Sequence, residues 1–158
     1  MHPLTQPISP EVAAELAVVR RRRAELRESL TALEQALTAR ADGLEERWGA
    51  RVHRALLPFA DDFAEHVVVT EGPEGLHQAI VAAEPRLTHA VDQLVADHHR
   101  FSAGLAELVA ISVPPLTPTE VAVIRDLGTQ LVSDVAKHRQ RGADLIHEAY
   151  ETDIGVGD

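Results

Sequence analysis

Apolar positions recur along this chain by alternating steps of four and three. The first run is Val12, Leu16, Val19, Leu26, Leu30, Leu33 and Leu37, with Arg23 filling the one step that is not apolar. That spacing keeps a stripe on one face of a helix. Ser9-Pro10-Glu11 supplies a capping hydroxyl, a proline at the first helical position and an acid in the first turn. The helix is therefore predicted to start at Pro10 and to end near Arg40, before Asp42-Gly43. A second helix is predicted from about Leu44, with Trp48 and then the stripe Val52, Leu56, Phe59, Phe63, His66 and Thr70. Pro58 lies inside it and is expected to bend it. Gly72-Pro73-Glu74-Gly75 ends it, and Leu76 to Ala83 can form a helical turn or two.

Glu84-Pro85 opens a third long helix, with the stripe Leu87, Val91, Leu94, His98, Phe101, Leu105 and Leu108. Pro114-Pro115 closes it, because consecutive prolines cannot continue a helix. Thr117-Pro118-Thr119-Glu120 carries the pattern of a capping box and starts the fourth. Its inward face reads Ile124, Leu127, Leu131, Val135, His138, Gly142, Leu145 and Ala149. No strand alternation and no repeat is present. Four long helices with short links predict an all-α, antiparallel up-down-up-down four-helix bundle over residues 10–150. A flexible lead-in precedes it at 1–9, and a non-helical tail follows at 151–158.

Composition narrows the function. The 158 residues are 45% hydrophobic but only 3% aromatic, so one core built from aliphatic side chains is expected. With no cysteine there are no disulfides, thiolate metal sites or cysteine nucleophile. A net charge of −10 argues against nucleic acid and anionic membrane as partners. No apolar run approaches a membrane span, and the start does not read as a signal peptide, so a cytoplasmic protein is expected. No phosphate-binding glycine loop, nucleophile elbow or zinc-protease helix is present, and no enzymatic activity is expected. The leucine-rich first helix either extends the core or supports a homodimer; no protein partner can be named.

Each of the four stripes contains one nitrogen-bearing polar residue: Arg23, His66, His98 and His138. A buried polar group is costly without a partner. Imidazole is the commonest metal ligand, and bundle cores often hold metal sites built from facing helices. Core histidines are also commonly just hydrogen-bonded, so both readings stand. The depths agree loosely. His138 is about 30 Å from the start of its helix and His98 about 20 Å from the end of its own, at ~1.5 Å per residue, so the helices must be offset or tilted. His53, His89, His99 and His147 fall off the inward positions, and His2 and His77 lie in the lead-in and the connecting segment. All six are read as solvated.

Three stretches carry a resemblance: Glu65-His66 through Glu71-Gly72-Pro73-Glu74-Gly75-Leu76, then Pro85-Arg86-Leu87 leading to Asp97-His98, and His138-Arg139-Gln140-Arg141 through Glu148-Ala149-Tyr150. Together they resemble the hemerythrin-like, HHE cation-binding family, from the Trp48 region to the C-terminus. The resemblance implies a four-helix bundle with a non-haem di-iron centre that serves dioxygen, nitric oxide or iron handling. It implies ligand roles for His66, His98 and His138, and a bridging role for Glu71.

The departures are specific. Arg23 stands where the family has a first-helix histidine, Gly142 where it has an acid, and Ser102 follows His98 by one turn. Glu71 lies five residues after His66, about 140° around an ideal helix. Three histidines and one glutamate fall short of a di-iron set and suit either no metal or a single iron or zinc ion. Arg23 could pair with Glu71 in place of a metal cation, or extend to water with its neighbours Arg20 to Arg22. The depleted ligand set favours a metal-free structural or interaction module. The alternative is a metal-binding protein that senses, carries or stores metal or a small diatomic molecule.

Overall fold

The structure is a computed structural model, and it describes residues 8–151. Most of the expected lead-in (1–7) and tail (152–158) lies outside the described residues. Among those described there is no strand. Helix α1 runs Pro10–Thr38, α2 Glu45–Glu71, α3 Leu76–Ala83, α4 Thr88–Ile111 and α5 Pro118–Ile146. A 3-10 turn at Pro85–Leu87 leads into α4, and a π-helical turn at His147–Glu151 follows α5.

The boundaries follow local chemistry. The Ser9 hydroxyl accepts from the Val12 amide at 3.2 Å and starts α1. At the head of α5, Thr117 Oγ1 accepts from the Glu120 amide while the Glu120 carboxylate accepts from the Thr117 amide, each at 3.1 Å, closing the predicted capping box. Helix α2 continues through Pro58 without a break and runs as far as Glu71. Gly72 caps it, its amide bonded to the Val68 carbonyl.

Helix α1 packs on α2 and α5, and α4 packs on α5 and α2, so the four long helices enclose a shared interior. The short α3 lies over one end, against α1, α2 and α4. The interior holds two apolar clusters. One gathers Leu26, Leu33, Leu37, Val52, Phe59, Phe63, Phe101, Leu105, Ile124 and Val135. The other gathers Leu16, Val19, Leu76, Ile80, Leu87, Val91, Leu94, Leu145 and Ile146. In every long helix the residue between the two clusters is the polar one of the stripe: Arg23 follows Val19 and precedes Leu26, His66 follows Phe63, His98 lies between Leu94 and Phe101, and His138 lies between Val135 and Leu145.

One inward position differs from expectation. Leu127 is 39% exposed, and the buried residue of that turn is Gly128. A Cβ on Gly128 would lie 2.7 Å from Leu37 Cδ2. The side chain of Leu37, from α1, fills the space a larger residue would need. A glycine carries no hydropathy signal, so the spacing alone pointed to its leucine neighbour.

Candidate metal centre

His66 of α2, His98 of α4 and His138 of α5 come from three different helices and are all buried, at 7%, 2% and 3% exposure. One ligand atom from each lies within 4.8 Å of the other two. The ring centroids of His98 and His138 are 4.8 Å apart, those of His66 and His98 5.1 Å, and those of His66 and His138 5.6 Å. Phenylalanines brace the rings from one side. Phe63 meets His98 edge-on at 5.7 Å, and Phe101 meets His138 edge-on at 5.4 Å. The three expected histidines are therefore brought together.

Carboxylates hold two of them from behind. His138 Nδ1 is 2.9 Å from Asp97 Oδ2, and His98 Nδ1 is hydrogen-bonded to Glu71 Oε2. A carboxylate accepts, so both Nδ1 atoms carry the proton. The two rings then face each other through Nε2, 3.1 Å apart. In neutral rings those two nitrogens both present lone pairs. Such an approach is favourable only when a cation, either a proton or a metal ion, lies between them. Four-coordinate zinc at about 2.05 Å from each nitrogen would set two of its ligand atoms about 3.3 Å apart. The observed separation is close to that.

Burial favours the neutral rings. It pushes His66 down to about 3 and His138 to about 4, the latter despite its bond to Asp97. His98 is also lowered by burial, against the opposing pull of Glu71. For Asp97, burial pushes upward but is outweighed. Hydrogen bonds from His138 and Arg100 and the charge of Arg141 keep its carboxyl below the usual range. Arg100 lies 2.5 Å and Arg141 3.0 Å from it. The site therefore holds neutral imidazole donors, two of them backed by carboxylates, the state in which histidine binds metal.

The donor set fits one ion. Among the described residues, His66, His98 and His138 are the group whose donor atoms converge. Glu71 and Asp97 are engaged at outer nitrogens, so a second ion would lack donors. The angular offset of Glu71 from His66 carries its carboxylate to His98 of α4. Arg23 does not pair with Glu71. It is half-buried, and its guanidinium donates to the Arg139 carbonyl at 3.2 Å. It borders both an open groove between α1 and α5 and a small cavity beside the histidines. Next to Gly142 there is open space where the expected acid would stand.

Two site residues were missed in the sequence. Asp97 is buried at 4% exposure. It lies three residues after Leu94 and four before Phe101, which are inward spacings, so the signal was present. His77 was read as solvated, but it is 7% exposed and stacks on His98 at 5.8 Å with the rings 12° from parallel. It belongs to α3, whose Leu76 and Ile80 are also buried. Folding α3 over the bundle end buries it, and burial lowers its pKa to about 4. Of the others read as solvated, His53 is partly covered and bonds Ser112 Oγ at 2.9 Å. His89, His99 and His147 are exposed, and His2 lies outside the described residues. No helix among the described residues is long and apolar enough to cross a membrane. No family model, curated protein or solved structure matches this chain.

Proposed function

We propose that this protein binds a single transition-metal ion, zinc or iron, through His66, His98 and His138, in a divergent hemerythrin-like bundle of antiparallel up-down helices. The observation that carries the reading is the pair of Nε2 atoms 3.1 Å apart, each on a ring whose Nδ1 is bonded to a carboxylate. Carboxylate–histidine pairs of this kind fix the tautomer and raise the basicity of a metal ligand. Three nitrogen donors leave a four-coordinate ion one position for an outside molecule. A cavity of about 30 Å³ borders His66 and His138, lined also by Val19, Leu76, Ile80 and Leu94. That space suits one water or a small molecule of two or three atoms. The role that follows is sensing, carrying or storing the metal or such a small molecule, without catalysis.

In this reading Asp97 and Glu71 orient the ligand rings from outside the coordination shell. Phe63 and Phe101 hold the rings against rotation, and the apolar clusters on both sides exclude bulk water. The second reading, a metal-free structural or interaction module, is favoured by the same 3.1 Å contact. If one of the two rings takes up a proton, the contact becomes a direct hydrogen bond and the polar layer is closed without an ion.

Metal content separates the two. Untagged protein supplemented with iron and zinc and purified without chelator should carry close to one metal per chain by elemental analysis, and His138→Ala should lose it. Metal far below one per chain in the wild type would leave the metal-free module as the reading.

A further inference from the structure

His77 is buried beside the three converging histidines, yet its Nδ1 has no hydrogen-bond partner. The rest of the layer is satisfied differently: His98 and His138 each use both nitrogens. A leucine or phenylalanine at position 77 would fill the same place beside Leu76 and Ile80 without leaving a polar atom stranded. An imidazole there stabilises the fold only if something binds it.

The surroundings indicate what that is. His77 lines the cavity that His66, His138 and Arg23 also border. It is not in the group of converging ligand atoms. Its ring lies nearly parallel to that of His98, with the centroids 5.8 Å apart. Charge selects further. Arg23 and Arg139 line the cavity, and no carboxylate does. The charged groups on the cavity wall are thus cationic, and its volume admits only a few atoms.

We infer that His77 is a positioning residue for the exogenous ligand of the metal, hydrogen-bonding a small anion held in the cavity between His66, His138 and Arg23. This rests on the metal-binding reading. Helix α3 then acts as a cover that contributes a polar contact to the fourth position, while the long helices contribute the ligands.

Cobalt(II) and azide serve as probes. Wild-type protein loaded with one cobalt per chain should change its visible d–d absorption as azide is added, giving an affinity. His77→Phe, which keeps a ring against His98, should hold cobalt with the same stoichiometry but bind azide about tenfold more weakly, the scale of one buried hydrogen bond. His77→Asn restores a nitrogen near the Nδ1 position and should recover most of that loss. His77→Leu replaces the phenylalanine variant should the latter fold poorly. Unchanged azide affinity in folded, cobalt-loaded His77→Phe or His77→Leu overturns the inference while leaving the metal site intact. Loss of cobalt in those variants also overturns it, by making His77 a ligand or a prop of the site. Failure of the wild type to take up cobalt removes the metal reading, and this inference with it.

Discussion

Asp97→Asn tests whether the buried carboxylate tunes a metal ligand or merely fills space. Asparagine has the same shape, and its carbonyl oxygen can still accept from His138 Nδ1, now 2.9 Å from the Asp97 carboxylate. What it removes is the negative charge that raises the basicity of the ring and strengthens its Nε2 donor. Loss of such an outer partner costs about 10- to 100-fold in metal affinity, equivalent to about 1.4–2.7 kcal/mol. Arg100 and Arg141 also contact this carboxylate, but both are largely exposed and their charges are screened by water. They should reduce the effect only modestly. Zinc affinity measured at pH 7 by competition with a chromophoric chelator gives the number, and urea unfolding of the apo-protein checks that the variant is folded. Arg141→Gln is the companion, because it changes the charge next to Asp97 but keeps the carboxylate on His138. It should shift zinc affinity by less than about threefold. A folded Asp97→Asn protein with zinc affinity within threefold of wild type would refute the argument that Asp97 acts through His138.

The apo-protein should lose stability in mild acid. His66, His77 and His138 have folded-state pKa values pushed down to about 3, 4 and 4 by burial, against about 6.5 unfolded. Below the unfolded value the unfolded chain binds more protons, so stability falls as pH drops from about 6.5 toward 4, by roughly 1.4 kcal/mol per ring at pH 5.5. Urea midpoints that stay flat from pH 7 to 5 would show that these rings are not buried as neutral groups. Gly128→Ala forces Leu37 to move, because the new Cβ would lie 2.7 Å from it. Overpacking of about 1–3 kcal/mol outweighs the helix-propensity gain of about 1 kcal/mol. In the double variant Leu37→Ala/Gly128→Ala the two effects should couple by about 1 kcal/mol or more, since the smaller residue vacates the space; additivity in urea titrations would contradict the contact. Gly142→Ala meets no atom within 4 Å. It should raise stability by up to about 1 kcal/mol, read as a higher melting temperature.

The comparison of sequence with structure turns on how far apart the interacting groups lie along the chain. Helix starts were legible because caps act over three residues: Ser9 with Val12, and Thr117 with Glu120. The inward positions of His66, His98 and His138 were legible because apolar neighbours one turn away mark the buried face of each helix. Asp97 was legible on the same grounds, at three residues from Leu94, but its pairing with His138 spans 41 positions. Leu127 misled because glycine at 128 gives no hydropathy signal, although the close approach of α1 to α5 depends on it.

By itself, then, the amino-acid order determined the helices, their buried faces and the presence of one nitrogen-bearing polar residue in each inward stripe. Helical periodicity is a local property, and burial of an apolar stripe follows from it. Tertiary packing alone decided which nitrogens face each other and which face carboxylates. It placed Glu71 on His98, turned Arg23 to a carbonyl of α5 and folded His77 over the cavity. Those outcomes depend on the offset between helices and on the path of the short α3, and both are set by the summed packing of two apolar clusters rather than by any one stretch of sequence.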